Sequence, residues 1–129
     1  MTVAVAYFDS DRGRAALRYA AEEARFRDQP LVVLRIIGGV DEVTEEDPAV
    51  LERVGAELSD YADVSWTLRT APEGFDTAEA LLDLAEEVDA SLLVIGARQR
   101  TRVGKLLLGS TVQRVLLEAQ LPVLVVKTA

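Results

Sequence analysis

The sequence predicts a three-layer α/β/α domain on an open, mostly parallel five-stranded sheet of order 3-2-1-4-5, with four helices. Three observations carry this expectation. Short, continuous apolar runs recur along the chain, amphipathic helical stripes separate them, and the apolar residues are aliphatic. Half of the 129 residues are hydrophobic and only 5% are aromatic. That is the composition of Val-, Ile- and Leu-rich strands covered by Ala-rich helices. The length suits one domain spanning residues 1–129.

The first strand reads from Val3 to Phe8. Asp9, Ser10 and Asp11 offer an N-cap to a first helix, in which Leu17, Ala20, Ala21 and Ala24 form one apolar stripe. Pro30 ends that segment. Leu31 to Ile37 is a second continuous apolar strand, broken by Gly38-Gly39. The acidic stretch from Val40 to Pro48 reads as a loop, and a second helix begins near Pro48 with Leu51, Val54 and Leu58 inward. Val64 to Leu68 alternates apolar and polar residues, as an outer strand with one half-covered face does. Asp76-Thr77-Ala78-Glu79 is a capping-box-like helix start, followed by the stripe Leu81, Leu84, Ala85 and Val88. Leu92 to Ile95 is the fourth strand, stopping at Gly96, and a basic loop runs from Ala97 to Lys105. Ser110-Thr111-Val112-Gln113 reads as a second capping box. The fourth helix then turns Val112, Val115, Leu116 and Ala119 inward. Pro122 precedes the last strand, Val123 to Val126.

Composition excludes much chemistry. The chain has no cysteine and no histidine, so disulfides, thiolate or imidazole metal sites and His-dependent triads are absent. A net charge of -8 disfavours nucleic acid and anionic membrane surfaces. The N-terminal run is apolar but has no basic leader and reaches Asp9 quickly, so a cytoplasmic rather than secreted protein is expected. No apolar run is long enough to span a bilayer.

Open parallel sheets bind ligands beyond the C-terminal strand ends where the strand order reverses. For the order 3-2-1-4-5 that point lies between strands one and four, whose ends are Phe8-Asp9-Ser10 and Gly96-Ala97-Arg98. The loop after strand four carries Arg98, Arg100, Arg102 and Lys105 in an otherwise acidic chain. It ends at Gly109-Ser110, at a helix start whose backbone N–H groups attract anions. A nucleotide phosphate is the natural candidate. A solvated basic loop, a strand-ending glycine at Gly96 and ordinary helix-start acids at Asp9 and Asp11 account for the same residues without a ligand. Gly104-Lys105 does not complete a P-loop, because the earlier glycine position is Gln99.

From Gly96 onward the sequence resembles the C-terminal signature of the universal stress protein family, G-x2-G-x9-G-[ST] followed by a helix and a P-V-L-V-V strand. Here Gly96-Ala97-Arg98-Gln99 is followed after nine residues by Gly109-Ser110, then Arg114-Val115-Leu116 and Leu121-Pro122-Val123-Leu124-Val125-Val126. Ala90 to Ile95 resembles the family's fourth strand, and Arg14 to Ala20 its first helix. The resemblance implies a stress-response protein that binds ATP or AMP and is a regulator or sensor rather than a fast catalyst. Mg²⁺ would accompany the nucleotide as a charge partner. It implies phosphate contacts from Gly96, Gly109, Ser110 and Thr111 within the loop that also holds Ala97, Arg98 and Gln99. Ile36 and Ile37 would border the adenine, Phe8 and Asp9 would lie near the ribose, and a homodimer would pair through Val123–Val126. Three positions depart from the pattern. Gln99 replaces the second glycine, Phe8 aligns with the acidic residue ending strand one, with Asp9 next to it, and Val112 replaces a frequent serine. Each departure removes a polar contact or narrows the pocket. A stress protein working through dimerisation and protein contacts is therefore the competing reading. A slow ATP hydrolase is a third, and it has only Asp9 and Asp11 as nearby acids.

Overall fold

The computed structural model describes residues 1–38, 47–98 and 108–128. The elements are β1 (Thr2–Ala6), α1 (Asp11–Arg27), β2 (Leu31–Ile37), α2 (Pro48–Glu57), a 3-10 turn (Ser59–Tyr61), β3 (Trp66–Pro72), α3 (Thr77–Glu87), β4 (Ala90–Arg98), α4 (Ser110–Glu118) and β5 (Val123–Thr128). The five strands are all parallel, as the pattern of apolar runs and stripes predicts, and lie in the expected common order β3-β2-β1-β4-β5. Among the described residues no helix is long and apolar enough to cross a membrane.

Strand alternation divides the core into two layers. Val3, Val5, Leu31, Val33, Leu92 and Val94 face α1 and α2, together with Leu17, Ala20, Val50 and Val54. Ala4, Val32, Leu34, Leu93 and Ile95 face α3 and α4, together with Leu81, Leu84, Val112 and Val115. The central strands are buried on both sides, which explains why they read as unbroken apolar runs.

Several strand limits differ from those read in the sequence. β1 stops at Ala6 because the chain turns at Phe8, whose carbonyl accepts a hydrogen bond from the Ser10 amide at 2.8 Å. Val64 is buried but belongs to the preceding turn, its amide bonding to Tyr61 O at 2.9 Å. β3 starts later, at Trp66, and continues through Pro72 because Arg69, Thr70, Ala71 and Pro72 pair with Leu34, Arg35, Ile36 and Ile37. β4 runs past Gly96 to Arg98 because β5 supplies partners there: Val126, Lys127 and Thr128 oppose Gly96, Ala97 and Arg98. Pairing with a neighbour, invisible in a strand's own residues, sets these ends. The predicted acidic loop falls outside the described residues through position 46.

Helix α1 starts where the sequence suggests, with Ser10 Oγ accepting from the Gly13 amide at 3.2 Å. Asp47 caps α2 and Pro48 takes its first helical position. Helix α4 buries only Val112 and Val115. Leu116, expected inward, is 42% exposed, and the helix has already ended at Ala119. Successive helical residues turn by about 100°, so Leu116 falls outside the narrow buried stripe of Val112 and Val115.

Candidate functional site

The C-terminal ends of β1 and β4 meet over the first turn of α1. A Cβ added to Gly96 would stand 2.4 Å from the Arg12 carbonyl oxygen. Gly96 is thus required inside the fold, where β4 lies against helix backbone. Beside it, Ala97 is buried in the layer under α3 and α4, and Arg98 is exposed.

Tyr7 and Phe8 take opposite sides of the sheet. Tyr7 is buried with the α1–α2 layer. Phe8 is half-buried against the α3–α4 layer, with the Arg12 guanidinium 5.6 Å from its ring centroid. Asp9 is exposed and ion-paired to Arg14 at 3.6 Å and Arg53 at 3.7 Å. Arg53 belongs to α2, so its ion pair links Asp9 to that helix. Ile36 packs against the α3–α4 layer, whereas strand alternation turns Ile37 to the α2 side. Phe8, Ile36, Ala71 and Leu108 are half-buried apolar residues packed on one layer at the strand ends. They form an apolar floor, with Ala97 and Val112 buried in the same cluster. Ala71 and Leu108 were not apparent from the sequence. Ala71 needed the longer β3, and Leu108 needed the position of α4. Gln99, Arg100, Arg102 and Lys105 lie outside the described residues.

The start of α4 corrects the sequence reading. Ser110 is not the cap. Gly109 is the N-cap, in extended conformation (φ -64, ψ 160), and Ser110 is the first helical residue. The Gln113 amide bonds to Gly109 O at 3.0 Å, and Gln113 Nε2 donates to Leu108 O at 2.8 Å. Helical geometry at Ser110 removes its hydroxyl from the capping position, since only an extended residue points its side chain at the following amides.

This makes α4 unlike its neighbours. Ser10, Asp47 and Asp76 each place a side-chain oxygen on the first amides of α1, α2 and α3. Gly109 has no side chain to do so. Neither backbone strain nor crowding accounts for this glycine. Its φ suits any residue, and among the described residues an added Cβ would have nothing within 4 Å. Among the described residues no side chain caps the first-turn amides of Ser110, Thr111 and Val112.

On the rim, Asp76 Oδ1 caps α3, accepting from Ala78 N at 2.8 Å and Glu79 N at 3.2 Å. Its Oδ2 accepts from Arg114 of α4. The Glu79 amide bond is the largest of the effects holding the Asp76 carboxyl below the usual carboxylate range. Arg114 adds to it, and partial burial opposes both. A carboxyl depressed below its unfolded value of 3.8 contributes stability that is present above that pH and lost as pH falls through the folded value. Wild type is therefore expected to melt only slightly above Asp76→Asn at pH 7, with this small gap closing below about pH 4. Thermal midpoints across that range check this, and a gap independent of pH would contradict it.

Among the described residues no group of three or more Asp or Glu side chains is arranged to hold a metal ion. The fold defines a doubly wound α/β protein with half-buried apolar residues at the strand ends and, among the described helices, one N-terminus without a side-chain cap. The universal stress protein family model matches residues 1–127. The chain belongs to the universal stress protein family. It is 44% identical over 128 residues to a universal stress protein of Mycolicibacterium smegmatis, covering 97% of this chain and 96% of that one. The universal stress protein of Archaeoglobus fulgidus superposes with a TM-score of 0.81 at 34% identity over 98% of both chains. A universal stress protein from Archaeoglobus fulgidus in complex with dAMP superposes with a TM-score of 0.75 at 31% identity, again over 98% of both chains.

Proposed function

We propose that residues 1–129 act as one cytoplasmic regulatory domain of the stress response that binds AMP or ATP across the ends of β1 and β4. The observation that carries this reading is Gly109, a glycine that neither its backbone angles nor packing among the described residues requires, at the only one of the four described α-helices whose N-cap supplies no side-chain acceptor. The phosphates would take the amides of Ser110 and Thr111, and Mg²⁺ would enter as the partner of ATP phosphates. The base would lie on the apolar floor beside Ile36, with Phe8 beneath. The dAMP complex of the A. fulgidus relative supports an adenine nucleotide as the ligand class. Fast hydrolysis is not part of this reading, because Asp9 and Asp11, the acids at the head of α1, are engaged by Arg14 and Arg53.

The test is calorimetric titration with AMP and ATP, with and without Mg²⁺, on protein stripped of co-purified nucleotide. Gly109→Glu places a carboxylate over the open amides and has room to do so. It is expected to weaken binding by about tenfold or more while leaving the melting temperature unchanged. Equal affinity in this variant would remove the phosphate cradle.

A second reading is favoured by β5. Among the described residues it pairs only with β4, and Val123, Leu124 and Val125 are only partly buried. Leu116 and Leu117 of α4 are exposed. These features support a homodimer joined through Val123–Val126. A folded dimer that takes up neither nucleotide would make protein contacts the function.

A further inference from the structure

We infer that Arg114 is a positioning residue: its bridge to Asp76 locks the first turn of α4 to the capped first turn of α3 and so aims the Ser110 and Thr111 amides over the strand ends. Its ligand-binding consequence rests on the nucleotide reading above. Its structural consequence does not.

Helix α4 is weakly anchored. It has nine residues, buries only two of them, and exposes Leu116 and Leu117. A helix this short does not hold itself together and depends on tertiary contacts. The Asp76 carboxylate is a fixed point, because the two amides it caps orient it. Arg114 reaches it across the gap between the helices. The opposite side of its guanidinium donates to both oxygens of Glu118, each at 3.1 Å. Arg114 follows Ser110 by four residues, and helical side chains lean toward the N-terminus. The tether therefore acts on the turn that carries the open amides. Exposed ion pairs add little to global stability, so the effect should appear in local order.

Asp76→Asn separates capping from bridging. Asparagine keeps the oxygen that caps α3, and caps as well as aspartate, but presents an N–H₂ group to Arg114. Arg114→Met removes the other partner and keeps an apolar stem of similar length. Hydrogen exchange of the nucleotide-free protein is the first readout. Both variants are expected to speed exchange in residues 110–116 severalfold, leaving β1 and β4 protected. Glu118→Gln, which spares the Asp76 bridge, should have a smaller effect. The second readout is AMP titration. Each variant should bind severalfold more weakly, and the double variant no worse than either single one. Unchanged exchange in both variants, or additive losses of affinity, would overturn the positioning role. If wild-type protein takes up no AMP, the nucleotide reading fails and exchange alone decides whether Arg114 positions α4.

Discussion

Gly13→Ala is expected to lower the melting temperature by roughly 8 °C, against the usual gain from placing alanine in a helix. Helix propensity alone favours alanine over glycine by about 1 kcal/mol. At this site the new Cβ would lie 1.7 Å from the Phe8 carbonyl oxygen and 2.7 Å from the Phe8 carbonyl carbon. Both are backbone atoms, so no side chain can rotate away. Either α1 lifts from the sheet or the Phe8–Ser10 turn opens. Overpacking costs about 1–3 kcal/mol, occasionally more, and a backbone clash this close belongs at the upper end, about 3 kcal/mol, which exceeds the propensity gain by about 2 kcal/mol. At roughly 4 °C per kcal/mol for a chain of this length, a net loss of about 2 kcal/mol produces the stated shift. The same displacement moves Phe8 and Asp9, so on the proposed nucleotide reading a fall in affinity should accompany the fall in stability. Gly55→Ala in α2 is the control. Its added carbon meets only the Trp66 ring at 3.8 Å, and it should be neutral or stabilising. An unchanged or higher melting temperature for Gly13→Ala would refute the close approach of α1 to the β1 turn.

Leu93→Ala is expected to cost about 2–5 kcal/mol, a large share of the roughly 5–15 kcal/mol that a domain of this kind possesses. Leu93 has no exposed surface and lies in the α3–α4 core layer. Its strand is flanked on both sides, by β1 and β5, so the void left behind cannot collapse easily. The measurement is the urea midpoint, with the slope unchanged. A loss below about 1 kcal/mol would mean that the α3–α4 layer closes over the gap.

Much of the architecture was legible because each central strand is apolar on both faces and each helix carries a single stripe. Those patterns identify a parallel sheet covered on two sides without reference to contacts. The element ends were less legible. Arg69 to Pro72 looks like loop until β2 stands beside it, and Ala97 and Arg98 look like loop until β5 does. The cap of α4 was misassigned by one residue. Ser110 is a strong capping type by composition, yet only the backbone angles at Gly109 reveal which residue is extended.

Residue chemistry by itself determined the covered parallel sheet, the aliphatic core and the exclusion of His and Cys chemistry. These follow from periodicity and composition, which are local. The strand order, and with it the two loops at the switch point, was expected only as the common order for five strands. Tertiary structure alone decided that Gly96 answers to the Arg12 carbonyl while Gly109 answers to nothing within the described fold. It also decided that Ile36 and Ile37 face opposite layers, that Asp9 is claimed by two arginines, and that Arg114 is tied to Asp76. Each of these depends on which atoms of distant segments come within a few ångströms of one another. A glycine required by packing and a glycine left open for a ligand are the same letter until that distance is known.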